Sequence, residues 1–135
     1  MPILGKQNGF TVLEILVAII MLVIALLGMA SVTVMVIKGN SYSKYTTTAA
    51  TLANDKLEDL KHQAFDAGDL TEGEHQDADN PLQALYTRKW QVGAARDVTG
   101  AKVVMKTISV MVDWSWEGRQ RNVTIRTIMA NPNYY

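Results

Sequence analysis

Apolar residues in this chain are not spread evenly but piled into one early stretch. From Phe10 to Ile37 the sequence FTVLEILVAIIMLVIALLGMASVTVMVI carries one charge, Glu14, and from Ile15 onward 23 residues pass without another. The run holds no Pro and no turn cluster, which favours helix over buried strands. At 1.5 Å per residue an uncharged helix of that length covers roughly 35 Å, enough to cross a hydrocarbon core of about 30 Å. Beyond it, Tyr45, Ala49, Leu52, Leu57, Leu60 and Ala64 recur at spacings of three to five. That spacing predicts an amphipathic continuation to about residue 65. Gly39 and Asn40 are placed to bend it, and the Thr46 to Thr48 run is weakly helix-forming.

Periodicity stops between residues 66 and 85, where Gly68, Gly73, Asn80 and Pro81 mark a polar connector. Three strands are then expected: Tyr86 to Val92, Val103 to Trp116 and Arg121 to Met129. Val98-Thr99-Gly100 and Glu117-Gly118-Arg119 supply the turns of a β-meander. In the middle strand Val104, Ile108, Val110, Val112, Trp114 and Trp116 alternate with Met105, Thr107, Ser109, Met111, Asp113 and Ser115, which makes one apolar face. That face should pack on the amphipathic half of the helix, so the expected class is α+β: a long N-terminal helix on a small antiparallel meander. Trp114 and Trp116 are expected in the core and at the sheet edge, and Tyr42 and Tyr45 as packing residues.

Charge refines this picture. Thirteen Lys and Arg balance thirteen Asp and Glu, so no bulk attraction to nucleic acid is indicated. The balance hides a segregation, since residues 55 to 79 carry nine acids against Lys56 and Lys61, while residues 80 to 135 hold eight bases against three acids. The two segments can attract within one domain or head to tail between subunits. No Cys is present, which removes disulfides, thiol nucleophiles and Cys-based metal sites, and His62 and His75 are the only histidines. No nucleophile elbow, phosphate loop, dinucleotide fingerprint or metalloprotease helix occurs, so no enzyme activity and no cofactor are expected. Asp77-x-Asp79-Asn80 has a calcium-loop composition without the order such a loop requires. A different class of function is a membrane-anchored module holding DNA or sugar on Arg119, Arg121 and Arg126 beside Trp114 and Trp116.

The front of the apolar run is unusual. A signal peptide has a shorter apolar region followed by a small-residue cleavage site; here a short leader bearing Lys6 precedes Gly9, Phe10 and an embedded Glu14. A carboxylate in such a segment costs about 2.5 to 3.5 kcal/mol at a helix centre and less near its end, so it needs a partner or a function. The run Gly9-Phe10-Thr11-Val12-Leu13-Glu14 entering an apolar helix resembles the prepilin signal of type IV pilins and pseudopilins. The resemblance implies cleavage between Gly9 and Phe10 by the prepilin peptidase, N-methylation of Phe10, and an assembly role for Glu14, the fifth residue of a 126-residue product. It implies residence in the inner membrane by a single pass with the C-terminal domain periplasmic, then transfer into a filament. The implied partners are other major and minor pilins or pseudopilins, the inner-membrane assembly platform, and membrane lipid before assembly.

Major pilins commonly carry a helix-breaking proline in the membrane helix and a C-terminal cysteine pair. This chain has no Pro between Pro2 and Pro81 and no Cys. LANDKLEDL, the strand ending VDWSW and the final NVTIRTIM resemble minor pilins of the PilV type and I-type minor pseudopilins of type II secretion. The implied function is a structural minor subunit acting in filament initiation or at the tip of a type IV pilus, with a type II secretion pseudopilus as the alternative.

Overall fold

The computed structural model describes residues 9–134. The leader before Gly9, Lys6 included, lies outside the described residues. One α-helix, α1 (Val12–His62), is followed by a 3-10 turn (Gly68–Leu70) and four strands, β1 (Gly73–Gln76), β2 (Thr87–Arg96), β3 (Val103–Trp116) and β4 (Arg119–Ala130). The chain divides into two compact units, Met1–Ser41 and Tyr42–Tyr135.

In the first unit α1 exposes its apolar side chains all round, from Val12 to Ile37. It is the one described helix long and apolar enough to cross a membrane, and none of its most apolar window is buried by the protein itself. An apolar surface of this size left open to water would be costly at about 25 cal/mol per Å², a cost that lipid or other apolar helices would remove. Helical structure runs unbroken through Gly39 and Asn40.

In the second unit the sheet order is β1-β2-β3-β4, all antiparallel, so each strand pairs with its sequence neighbour. The helix lends one face to it through Ala49, Ala53, Leu57 and Leu60. The two alanines are fully buried, and their small side chains let the helix backbone come close to the sheet. Opposite them lie Trp90 and Val92 of β2 and Ile108, Val110, Val112 and Trp114 of β3, with Val123, Ile125 and Met129 of β4 packed at the margin. The predicted alternation of β3 is thus observed, with one addition: Lys106, in the same register as Ile108, is buried as well. Its ammonium donates to the carbonyl of Phe65 and stands 4.3 Å from the centroid of that ring. The long apolar stem crosses the core margin while the charge meets a carbonyl just past the helix C-terminus, where cations are favoured.

The β3 to β4 connection is a two-residue hairpin. Trp116 pairs with Arg119, and both Glu117 (φ 48°) and Gly118 (φ 74°) take the positive φ that a type I′ turn demands. The β2 to β3 turn is held by Asp97, whose Oδ1 accepts from the Thr99 hydroxyl at 2.8 Å and from the Ala101 amide at 3.0 Å. Those bonds, the Thr99 hydroxyl first, hold the Asp97 carboxyl below its ordinary range.

Several boundaries differ from the sequence reading. A fourth strand, β1, lies inside the expected connector, and β2 continues past Val92 to Arg96 because its Gly93-Ala94-Ala95 run finds partners in Thr107, Lys106 and Met105. The helix ends at His62, three residues before the expected stop, and Phe65 and Leu70 turn back into the core.

Candidate assembly site at the start of the helix

Phe10 precedes α1 and is 80% exposed. Thr11 sets the start of the helix: its hydroxyl accepts from the Glu14 amide at 3.2 Å, and its carbonyl takes the first helical bond from the Ile15 amide. A Thr three residues before a Glu is the sequence signature of a capped N-terminus, and it places Glu14 in the first turn, where negative charge is stabilised by the helix dipole. Phe10, Glu14, Ala18 and Leu22 follow at intervals of four, and with Ile15 and Ile19 they line a shallow surface depression. The Glu14 carboxylate has no hydrogen bond and no ion pair among the described residues. It therefore sits as a single acid on an apolar stripe, one helical turn from Phe10. A Cβ at Gly9 would meet nothing within 4 Å among the described residues, so their packing does not demand glycine there.

The remaining residues singled out from sequence fall into two groups. Trp114 is 2% exposed and tilts against Tyr86 at 6.2 Å between ring centroids, so it cannot serve as a ligand platform. Its indole Nε1 is buried without a hydrogen-bond partner among the described residues. Trp116 is half-buried against Tyr45 (4.9 Å) and Tyr42 (6.2 Å). The three arginines of the alternative reading do not form one strip. Arg119 and Arg121 pair across the ladder with Trp116 and Trp114 and share their side of the sheet, whereas Arg126 pairs with Ser109, lies on the opposite side and donates to the Ser109 hydroxyl at 3.1 Å.

The acidic connector is engaged within the chain. Asp77 forms an ion pair with Arg88 and lies 3.7 Å from Lys56, and the three side chains are only 12 to 15% exposed. Arg88 also donates to the Leu52 carbonyl of α1 at 2.8 Å, and Asn80 brackets the Arg88 backbone with bonds of 2.8 and 2.9 Å. Lys56 stands 4.0 Å over the Trp90 ring, whose Nε1 donates to the Asp69 carbonyl at 2.8 Å. His75 stacks on the same indole at 5.5 Å. Together with Arg96 to Glu72 at 3.1 Å, these contacts realise the intrachain attraction between acidic and basic segments. Asp77 and Asn80 are thereby committed to structure, and no group of three acidic or histidine side chains among the described residues could hold a metal ion. Sequence reasoning missed the Lys56, Trp90 and Arg88 cluster; its one signal was the pairing of isolated bases with an acidic connector.

No protein-family model, curated protein or solved structure matches the chain. The architecture, a long apolar N-terminal helix whose second half packs on an antiparallel sheet, is the one expected of a pilin-like chain.

Proposed function

We propose that this chain is a minor subunit of a type IV pilus, held first in the inner membrane by α1 and then drawn into the filament, where it acts in initiation or at the tip. The observation that carries this reading is Glu14: a carboxylate without a partner among the described residues, on the exposed and otherwise uncharged first part of α1, a single turn after Phe10. Cleavage between Gly9 and Phe10 by the prepilin peptidase creates a terminal amine, and N-methylation of Phe10 keeps it cationic. In a bundle of parallel helices that amine meets the Glu14 of a neighbouring subunit. Desolvation offsets much of the attraction in such a pair, but leaving either charge alone in apolar surroundings is strongly unfavourable, so the pair acts through register more than through net stability. The pairing thus selects a register between adjacent helices, while Ala18, Ala25, Gly28, Ala30 and Ser31 allow close approach.

Partners in this scheme are the peptidase, the major and minor pilins, the inner-membrane assembly platform and, before assembly, lipid. A minor pseudopilin of type II secretion would use the same site in the same way.

Glu14→Val tests the reading. It removes the charge at little change in volume, so insertion and cleavage after Gly9 should persist while incorporation into filaments falls. Mature protein is quantified in membranes and in sheared filaments for both variants. Equal incorporation would show that apolar packing alone recruits the subunit.

A further inference from the structure

The sheet ends on two unlike edges, β4 with twelve residues and β1 with four. On β4 the Asn131 amide bonds to the Val104 carbonyl straight across the ladder, so Met129, Thr127, Ile125 and Val123 also spend their N–H and C=O groups on β3. The residues between them, Asn122, Thr124, Arg126 and Ile128, turn theirs outward. On β1 the Asp77 amide bonds to the Arg88 carbonyl, and the same alternation leaves Glu74 and Gln76 turned outward. All six of these outward-bonding residues have exposed side chains. Sheet edges are commonly blunted by shortness, proline, bulges or charge. β4 is long, has no Pro and keeps one register with β3 throughout, so of these devices it carries only charge.

On the sheet face away from the helix, the register aligns one row across all four strands: Glu74 with Gln91, Gln91 with Ser109, and Ser109 with Arg126. Its two ends carry opposite charges. Arg126 donates to the Ser109 hydroxyl and meets no carboxylate among the described residues. Glu74 has no ion pair among them either, whereas Glu72 and Asp77 on either side hold Arg96 and Arg88. With four antiparallel strands, β1 and β4 run in opposite directions. A second copy that sets its β1 beside β4 therefore continues the antiparallel alternation. Carrying the row straight across the junction puts Glu74 of the second copy opposite Arg126, and Gln76 of that copy opposite Thr124. Each of these pairs joins two outward-bonding residues, so each exchanges both backbone hydrogen bonds, and Glu74 with Arg126 adds a cross-strand ion pair. Pairing β4 with β4 lacks this match, since full overlap of Asn122 to Ala130 sets Arg126 opposite Arg126.

We propose that copies of this chain join sheet to sheet, β1 of one on β4 of the next, with Glu74 against Arg126. The contact is heterologous, so an array built from it keeps a free β1 at one end and a free β4 at the other. Every residue in it belongs to the second unit, and it stands independently of the role given to Glu14. The four residues of β1 set its length, so it is weak and forms where copies are crowded.

The chain has no cysteine, so two single-cysteine variants of the full chain can be mixed at high concentration in detergent micelles under mild oxidation. Gln76→Cys in one and Thr124→Cys in the other sets the sulfurs across a bonded antiparallel pair, whose Cα separation of about 5.5 Å a disulfide can span. The mixed disulfide should form about ten-fold faster than with Ile128→Cys in place of Thr124→Cys, because that position lies four residues, roughly 13 Å, out of register. Adding Arg126→Glu to the Thr124→Cys chain should slow it about five-fold, and adding Glu74→Arg to the Gln76→Cys chain should restore it, which separates a lost contact from a misfolded variant. Equal rates at positions 124 and 128 would overturn the proposal, as would charge reversals without effect. A Thr124→Cys chain that links to its own kind faster than to the Gln76→Cys chain would place β4 against β4 and overturn it too.

Discussion

Trp114 offers the sharpest test of the core. Its ring is 2% exposed, belongs to the helix-facing row of β3, packs against Tyr86, and carries an indole N–H with no partner among the described residues. Two opposing effects follow. Trp114→Ala removes the whole buried ring and leaves a cavity, a change that costs about 3 to 5 kcal/mol. Trp114→Phe removes fewer ring atoms and also the orphaned donor, whose burial alone costs roughly 1 to 3 kcal/mol, so the two effects largely cancel and the net loss should stay under about 1.5 kcal/mol. The assay is urea unfolding of a soluble fragment beginning at Gly39, which retains the whole compact second unit, followed by far-ultraviolet circular dichroism. With a denaturant slope of about 1 to 2 kcal/mol per molar, the alanine variant should shift the midpoint by at least about 1.5 M and the phenylalanine variant by no more than about half as much as the alanine variant. An alanine loss below about 1 kcal/mol would mean that the ring is not buried in solution. Equal losses for both variants would refute the cost assigned to the unpaired donor.

Asp77→Ala should cost about 3 kcal/mol in the same assay, because it leaves Arg88 and Lys56, both largely shielded, without their shared carboxylate; a loss below about 1 kcal/mol would show the cluster to be solvated. Burial raises the phenol of Tyr86 above its ordinary value of 10.0, outweighing the opposing hydrogen bond with the Thr48 side chain. A raised folded value means that its contribution is fully present below pH about 10 and is lost as pH rises through the raised value, so alkaline titration of the unfolding midpoint should show a fall that Tyr86→Phe reduces. An unchanged profile would place that phenol in water.

Much of the fold was legible because it follows strong periodic signals. The uncharged run reads as helix by length alone, the period of two in β3 is nearly uninterrupted, and Glu117-Gly118 is the only short turn signal between two long alternating runs. What stayed hidden has physical causes. β1 is four residues, Gly-Glu-His-Gln, with no apolar alternation, and its inward contact is the stack of His75 on Trp90. The end of β2 is Gly93-Ala94-Ala95, too small to display a buried face, so its pairing with β3 decides it. Lys106 occupies a core register because its stem is apolar and a carbonyl waits at Phe65, a long-range partner that spacing cannot reveal. The position of Arg126 is legible from spacing. Five positions separate it from Arg121, an odd interval that puts the two on opposite sides of any strand. At the helix start, spacing alone set Glu14 one turn from Phe10, and the structure adds the Thr11 cap and the shared apolar depression.

The central claim is that this chain matures by cutting between Gly9 and Phe10 so that a new amine can meet Glu14. Intact-mass and N-terminal peptide mass spectrometry of the protein recovered from membranes and filaments tests it directly, with Gly9→Val, a substitution the fold has room for, as the comparison. The account predicts a 126-residue chain beginning at N-methylated Phe10 for the native sequence, and an uncut, unincorporated chain for Gly9→Val. Filaments containing the native protein with residues 1 to 9 still attached would contradict it.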